Sequence, residues 1–372
     1  MSLQVVGAAI VRTGQVLAAR RSYPAEAAGR WEFPGGKVGV GETPEAALTR
    51  EIAEELGCQV VVEGWLPQVG FGTAAGTDLQ LRVALCRLTH GEPRVTEHDA
   101  LRWLSPEQLH EVDWLEPDRP FLHDLCERLL DGERLLGGNV GGAVRIGDTV
   151  RRPVGPWTPA VHALLRHLGE SGLPGVPRAY GLDARGREVL DYLPGEVIDV
   201  DHEQLNESRL RNLGRWLGAL HGACGTFEHA GPWRFFDVAA PTVITHNDVA
   251  PYNVCFAGDE VSGVFDWDLA GPSRPMFDLG HTAWSAIPLF REIPATAAAR
   301  RLHVFAEGYG TDARAALQAV QPRVQLAIDG VREGLRRGDE GMINLAAVGE
   351  PERTERALAG FLTRRDAIES AL

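Results

Sequence analysis

The sequence predicts two folded units of different class: an α/β unit, then an α+β unit whose later part is mainly helical. Three observations predict this division. At 372 residues the chain exceeds one small domain, because hydrophobic cores split as chains grow. The first third reads β-β-α-β-α, the order expected of helices packed on a mixed sheet. Residues 131–142 are rich in glycine and charge, as linkers are, so the units fall at 1–130 and 143–372.

Each element has a local cause. Apolar, β-branched runs at 5–11 and 16–20 flank Thr13-Gly14, which predicts a hairpin. Thr43 suits an N-cap and Pro44 a first helical position, so a helix should run from there to about Gly57. Residues 79–88 alternate as a strand, and 107–112 and 119–130 read as short helices. The second unit opens with strands at 143–146 and 149–152 around Gly147-Asp148, followed by a helix from Trp157 to about Leu168. From Asn206 the pattern is mostly helical, with one strand pair within 244–267. There is no internal repeat and no low-complexity tract.

Composition removes several function classes. With 44% hydrophobic and 24% charged residues, the chain is globular. A net charge of −14 argues against a nucleic-acid polymer as partner. The five cysteines are scattered without a CxxC pair, which fits reduced thiols in a cytoplasmic protein. No signal segment and no long apolar run point to secretion or a membrane. Lysine occurs at Lys37 alone, and arginine supplies all other basic side chains.

The most specific motif is Gly36-(five)-Glu42-(seven)-Arg50-Glu51-Ile52-Ala53-Glu54-Glu55-Leu56-Gly57-Cys58. Glu51, Glu54 and Glu55 fall at i, i+3 and i+4, on one helix face. Such carboxylates repel unless a hard divalent cation draws them together. A solvated acidic face is the plainer reading, but the spacing resembles the Nudix box at every specified position except the last. There Cys58 replaces an aliphatic residue, and a buried cysteine behaves as a small hydrophobe. Trp31-Glu32-Phe33-Pro34-Gly35-Gly36-Lys37, leading into it, looks like the MutT-type branch.

This resemblance implies an α/β/α sandwich in which Glu51, Glu54 and Glu55 hold Mg²⁺, with Mn²⁺ as a substitute. Arg50 would orient the catalytic glutamate, Glu54. Glu97 would add a distant metal ligand, or is an exposed loop acid. Gly35 and Gly36 would let backbone approach the phosphates, and Lys37 would add charge. The implied reaction is hydrolysis of a nucleoside triphosphate to monophosphate and pyrophosphate. Arg21 and Phe33 match base-pocket positions, and Asp118 matches the residue reading the base edge. A carboxylate only accepts hydrogen bonds, which favours cytosine N4 over a carbonyl; alternatively Asp118 caps a helix starting at Arg119.

A second motif, His246-x-Asp248-(four)-Asn253, is followed by Asp266-Trp267-Asp268. One Asp to accept a hydroxyl proton, with Asn and another Asp to hold metal, is what phosphoryl transfer from a Mg²⁺-nucleotide needs. Residues 137–372 resemble the aminoglycoside phosphotransferase and choline kinase branch of the bilobal protein-kinase fold, with a helical C-lobe. The resemblance implies Asp248 as base, Asn253 and Asp266 as metal ligands, and Asp268 nearby. It makes His246 structural. Asn247 replaces a more usual glycine, which asparagine can do in strained turns.

The nucleotide-holding half departs from the family. No lysine is present to grip phosphates, so Arg151 is the first stand-in and Arg152 the second. The following helix offers no glutamate before Glu170. The Gly137–Gly142 cluster covers phosphates or is linker. Asp191-Tyr192-Leu193-Pro194-Gly195 is the nucleotide hinge or a plain Pro-Gly turn. The resemblance implies ATP or another nucleoside triphosphate as donor and a hydroxylated small molecule as acceptor. Glu333, Asp339 and Glu340 would suit a cationic acceptor, or are simply solvated. The rival reading makes this half a non-catalytic nucleotide-binding or scaffold module.

Overall fold

Thr13 (φ 48°) and Gly14 (φ 68°) are both left-handed and turn strand Leu3–Arg12 back into Gln15–Arg20. That is the hairpin geometry matching the twist of its strands. The computed structural model describes residues 2–74, 76–135, 142–200, 202–234 and 238–372. Leu3–Arg12 is also parallel to the long strand Thr77–His90, with Leu3 opposite Leu79 and Ile10 opposite Cys86. It is antiparallel to Gly35–Lys37, which brings the glycine pair to the sheet. Alternation then divides the strand. Val6, Ala8 and Ile10 face helix Pro44–Leu56 through Leu48, Ile52 and Leu56, while Ala9 faces Phe33, Trp114, Phe121 and Leu125. The result is a sheet with helices on both faces.

The predicted helix is present as Pro44–Leu56. The Thr43 hydroxyl accepts from Ala46 N–H, and Gly57 (φ 64°) ends it in the left-handed region. Strands that were not anticipated include Gln59–Trp65, Gly70–Ala74 and Ala100–Leu104. The first two pair with Thr77–His90 and the third with Gln15–Arg20, so pairing rather than local pattern makes them strands. The expected helix at 107–112 is a 3₁₀ turn, Pro106–His110. The expected helix at 119–130 is a 3₁₀ turn, Arg119–Phe121, running into helix Leu122–Leu129.

The chain divides into two compact units, residues 1–135 with 143–150 and residues 136–142 with 151–372. Residues 143–150 therefore group with the first unit, not the second as expected. Gly147 N–H donates to the Thr13 carbonyl, and Ile146 backs onto Gly14.

In the second unit, helix Thr158–Glu170 buries Val161, Leu164, Leu165 and Leu168 in the core. Strand Glu188–Asp191 lies between Ala179–Leu182 and the strand carrying Arg151 and Arg152. The later strands form two pairs, where one was expected. Val243–Thr245 pairs with Gly271–Ser273, and Val254–Ala257 with Glu260–Val264. The loop between the first strands of these pairs carries His246 to Asn253. Helices Glu207–Cys224, Pro275–Ala286, Ala295–Tyr309 and Ala313–Arg337 share one core with this loop through Val249, with Glu340–Ala347 and Glu352–Ala371 following. Among the described residues, no helix is long and apolar enough to cross a membrane.

Candidate active sites

The first site is built by one arginine. Arg50 Nε and Nη2 each donate to Glu42 at 3.0 Å, a bidentate pair, and Nη1 donates to Glu51 at 2.9 Å and Glu54 at 3.2 Å. The Arg50 hydrogen bonds, with Gly39 N–H, hold the Glu42 carboxyl below its usual range. Gly35 (φ 152°) and Gly36 lie against this cluster. A Cβ at Gly36 would run into the Glu51 carboxylate, and one at Gly35 into the Val6 carbonyl. Glu55 accepts from Gly35 N–H at 3.1 Å. Burial pushes its carboxyl up to about 7; Glu32 adds to the rise, while His98 and the Gly35 N–H oppose it.

Hard oxygen donors converging over a glycine that leaves them room fit Mg²⁺ or Mn²⁺. Among the described residues no three acidic, histidine or cysteine side chains are yet gathered tightly enough to hold an ion. Arg50 and Gly35 hold the carboxylates instead. Lys37 is exposed, and its carbonyl receives Arg50 Nη2 at 3.3 Å. Glu97 is exposed too, and it is the next residue, His98, that turns inward to Glu32 at 3.1 Å.

The expected base pocket is arranged differently. Phe33 is 3% exposed and packs against Trp114 (centroids 4.8 Å apart) and Phe121, so its ring belongs to the core and not to an open wall. Arg21 is spent on Glu32 at 2.9 Å. Asp118 is also 3% exposed and accepts Phe33 N–H at 2.9 Å. It makes no side-chain cap, which removes the helix-cap alternative. Burial pushes its carboxyl well above the ordinary range, with only the Phe33 N–H and Arg21 opposing.

The second site centres on Asp248. Its Oδ2 accepts Asn253 Nδ2 at 2.9 Å, and His246 Nε2 is fixed on the Phe265 carbonyl at 3.0 Å. Burial raises the Asp248 carboxyl, but the hydrogen bond and charge of His281, with His246 and Arg323, outweigh it and hold the group low. Asn247 is left-handed (φ 66°), and its buried amide lies near the carbonyls of Thr245, Leu269 and Gly271 at 3.1–3.2 Å. That is why asparagine serves where glycine is more usual.

The two adjacent arginines have different surroundings. Adjacent strand residues face opposite ways, and Arg151 is buried toward Asp183, 3.8 Å away. Arg152 reaches Asp268 at 2.7 Å and Asp266 at 3.3 Å. Burial raises the Asp266 carboxyl, opposed by Arg152 and reinforced by Asp268 and Asp248. The missing helix glutamate is replaced from elsewhere. Glu188, on the neighbouring strand, lies 3.6 Å from Arg152 and 2.9 Å from His162 of the helix. Strand and helix have exchanged roles, which no motif spacing could reveal.

Arg234 was also not anticipated. It stacks on Trp157 (4.6 Å), donates to Asp339 at 2.9 Å and lies 3.6 Å from Asp268. Asp339 caps helix Glu340–Ala347, and Glu333 pairs with Arg336 and Arg337, so neither stands open for a cationic acceptor. At the expected hinge, Asp191 accepts Arg178 N–H at 2.9 Å and the Tyr180 hydroxyl at 2.7 Å. Leu193 packs on Gly263, and its carbonyl receives Cys255 Sγ at 3.4 Å. Residues 137–141 of the glycine cluster lie outside the described residues.

Comparison with known proteins agrees with both motifs. The NUDIX domain family matches residues 1–125, and the phosphotransferase enzyme family (APH) matches residues 156–240 and 233–320. The chain is 48% identical over 125 residues to the Mycobacterium tuberculosis protein named "Putative 8-oxo-dGTP diphosphatase 2", covering 34% of this chain and 89% of that one. It is 36% identical over 120 residues to the Escherichia coli CTP pyrophosphohydrolase, covering 32% and 88%. It is 33% identical over 193 residues to the trifolitoxin immunity protein of Rhizobium leguminosarum bv. trifolii, covering 47% and 73%. The chain therefore belongs to the Nudix hydrolases through its first third and to the APH phosphotransferase family through residues 156–320.

Proposed function

We propose that the chain is a bifunctional enzyme. Its first domain is a divalent-metal-dependent pyrophosphohydrolase of nucleoside triphosphates, and its second is an ATP-dependent kinase of a hydroxylated small molecule. The hydrolase domain would correspond to residues 1–130, with 143–150 grouped with it, and the kinase domain to 151–372, with 131–142 as linker. The first assignment is carried by Arg50 gripping Glu42, Glu51 and Glu54 above Gly36. Glu51, Glu54 and Glu55 would hold the ion, with Glu97 within the loop that could add a ligand. When bound, the ion supplies Lewis-acid charge and lowers the pKa of a bound water. Arg50 keeps Glu54 in place beside it, and Gly36 and Lys37 line the approach of phosphates.

For the base, the finer proposal is a cytosine nucleotide, read by Asp118. Its burial adds a condition: a neutral Asp118 carries an O–H donor as well as an acceptor, and only the ionised form is acceptor-only. Cytosine preference over 8-oxo-dGTP should therefore grow with pH. Pyrophosphate release from CTP, dCTP, 8-oxo-dGTP and ATP between pH 6 and 9 tests this. A preference for 8-oxo-dGTP at every pH removes the cytosine reading.

The second assignment is carried by Asp248, held at both oxygens and kept ionised beside Asn253. Asn253 and Asp266 would hold Mg²⁺, with His246 fixing the loop and Arg152, not Arg151, meeting the donor phosphates. The segment Asp191, Tyr192 and Leu193 would face the nucleotide base. ATP turnover over a panel of hydroxylated metabolites, with Asp248→Ala as control, tests it. The relative named for trifolitoxin immunity is the reason to include antimicrobial compounds. The hold of Arg152 on Asp266 and Asp268 favours the rival, non-catalytic reading, because metal and guanidinium compete for the same carboxylates. Phosphoryl transfer abolished by Asp248→Ala would end that rival.

A further inference from the structure

Helix Pro275–Ala286 delivers a side chain to Asp248 that lies outside the loop motif. His281 Nε2 is 2.8 Å from Asp248 Oδ1. The Tyr252 hydroxyl reaches the same oxygen at 3.2 Å and His281 Nε2 at 3.4 Å. The other oxygen is already engaged by Asn253. Two ties on either side of His281 bind the helix to the catalytic segment. Asp278, fully buried, accepts the Thr245 hydroxyl at 2.6 Å, and the Thr282 hydroxyl donates to the Val249 carbonyl at 2.7 Å. These ties bracket Asp248 in the chain, so the imidazole is brought to Oδ1 by a buried scaffold. The three partners differ in exposure: the side chains of His281 and Asp248 are 14% and 17% exposed, whereas Tyr252 is 42% exposed.

We propose that His281 is a positioning residue for phosphoryl transfer, holding Asp248 Oδ1 toward the acceptor, and that the Tyr252 hydroxyl stands in the place of the acceptor hydroxyl until the acceptor binds. The inference rests on the kinase reading of this site. A carboxylate oxygen has room for few donors. The contact given up should be the longer one, Tyr252 at 3.2 Å, while the shorter His281 contact at 2.8 Å stays. In the transfer, the acceptor O–H gives its proton to Asp248 Oδ1 as its oxygen bonds the γ-phosphorus. The bond from that phosphorus to the β–γ bridging oxygen breaks, and the nucleoside diphosphate leaves with the electron pair. His281 gains and loses nothing; its Nε2–H keeps Oδ1 in line.

The test measures ADP release from Mg-ATP, with water alone and with glycerol as a generic hydroxylated acceptor, in the full chain. His281→Ala should lower kcat about 10²-fold, as misplacement by about 1 Å does, with KM for ATP nearly unchanged. His281→Gln, whose amide N–H can reach Oδ1, should recover most of that loss. Tyr252→Phe should lower KM for glycerol. If His281→Ala leaves kcat unchanged, or if both His281 variants lose it equally together with thermal stability, the positioning role is overturned. If Tyr252→Phe lowers kcat as Asp248→Ala does, Tyr252 is no placeholder. A wild type without ADP release, with no change on Asp248→Ala, overturns the kinase reading itself and this inference with it.

Discussion

The two sites hold crowded carboxylates in opposite ways. In the first, one cation does it from within the same stretch of chain: Arg50 meets Glu42, Glu51 and Glu54, all within eight residues of it. In the second, Asp248, Asp266 and Asp268 are met by His281, Arg152 and Arg234, drawn from separate elements. The box helix and the turn that enters it are enough to assemble the first cluster, whereas the second exists only when the whole domain has folded. The first should therefore tolerate distant damage better than the second, and each should fail alone when struck at its own centre.

The largest effect tests that independence. Glu54→Gln should reduce pyrophosphate release about 10²–10⁴-fold, the range for a lost acid–base or charged catalytic group, and leave ADP release untouched. Asp248→Ala should do the converse. A single substitution that silences both activities breaks the comparison. Next in size is the pair Arg152→Ala and Arg151→Ala. Removing a charged hydrogen bond to phosphate is worth about 1.5–3 kcal/mol, or about 10–100-fold in KM for ATP, and only Arg152 should show it. Loss at Arg151 should appear as a lower melting temperature, because its guanidinium is buried toward Asp183.

The same contrast explains what could be read before the fold was known. The box helix, its Thr43 cap and its Gly57 stop follow from nearest-neighbour chemistry, and all three appear at the expected residues. The loop from His246 to Asn253 was legible for the same reason. Its supports were not. Glu188 and His162 are 26 residues apart, and His281 lies beyond three more strands, so no spacing ties them to the site. The order of Arg151 and Arg152 turned on which strand face meets the core, which adjacent identical residues cannot announce. Phe33 and Asp118 were matched by position, yet burial against Trp114 and Phe121 changes what each can offer a base. Strands such as Gly70–Ala74 depend on their partner, since glycine carries no strand signal of its own.

A smaller effect separates the sites by pH. Glu55 has its carboxyl raised to about 7, so below that pH a metal ion must displace a proton to use it. The Mg²⁺ concentration giving half-maximal pyrophosphate release should then rise about tenfold per pH unit as the solution is acidified below about 7, and level off above it. Asp248 is held low instead, so its own ionisation sets no limit in that window. A Mg²⁺ requirement for hydrolysis that is flat from pH 6 to 8 would show that Glu55 is not a ligand or is not buried in solution.

The smallest effect concerns a single backbone angle in the catalytic loop. Asn247 sits at φ 66°, and its amide lies near three carbonyls. Replacement by glycine removes the amide and the Cβ and so eases access to that angle; replacement by alanine removes the amide but keeps a Cβ, which disfavours the angle. Both variants lose the same hydrogen bonds, so their difference isolates the backbone. A left-handed residue with a Cβ costs about 1–2 kcal/mol, partly offset because glycine loses about 0.5–1 kcal/mol more entropy on folding. Asn247→Ala should therefore unfold about 1 kcal/mol more easily than Asn247→Gly in denaturant titration. Both should leave the first site's Mg²⁺ response unchanged, since Arg50 and its carboxylates need nothing from this loop. Equal stability of the two variants would mean that the loop relaxes out of the left-handed angle. The reach of Asp248 would then depend on His281 and Asn253 alone.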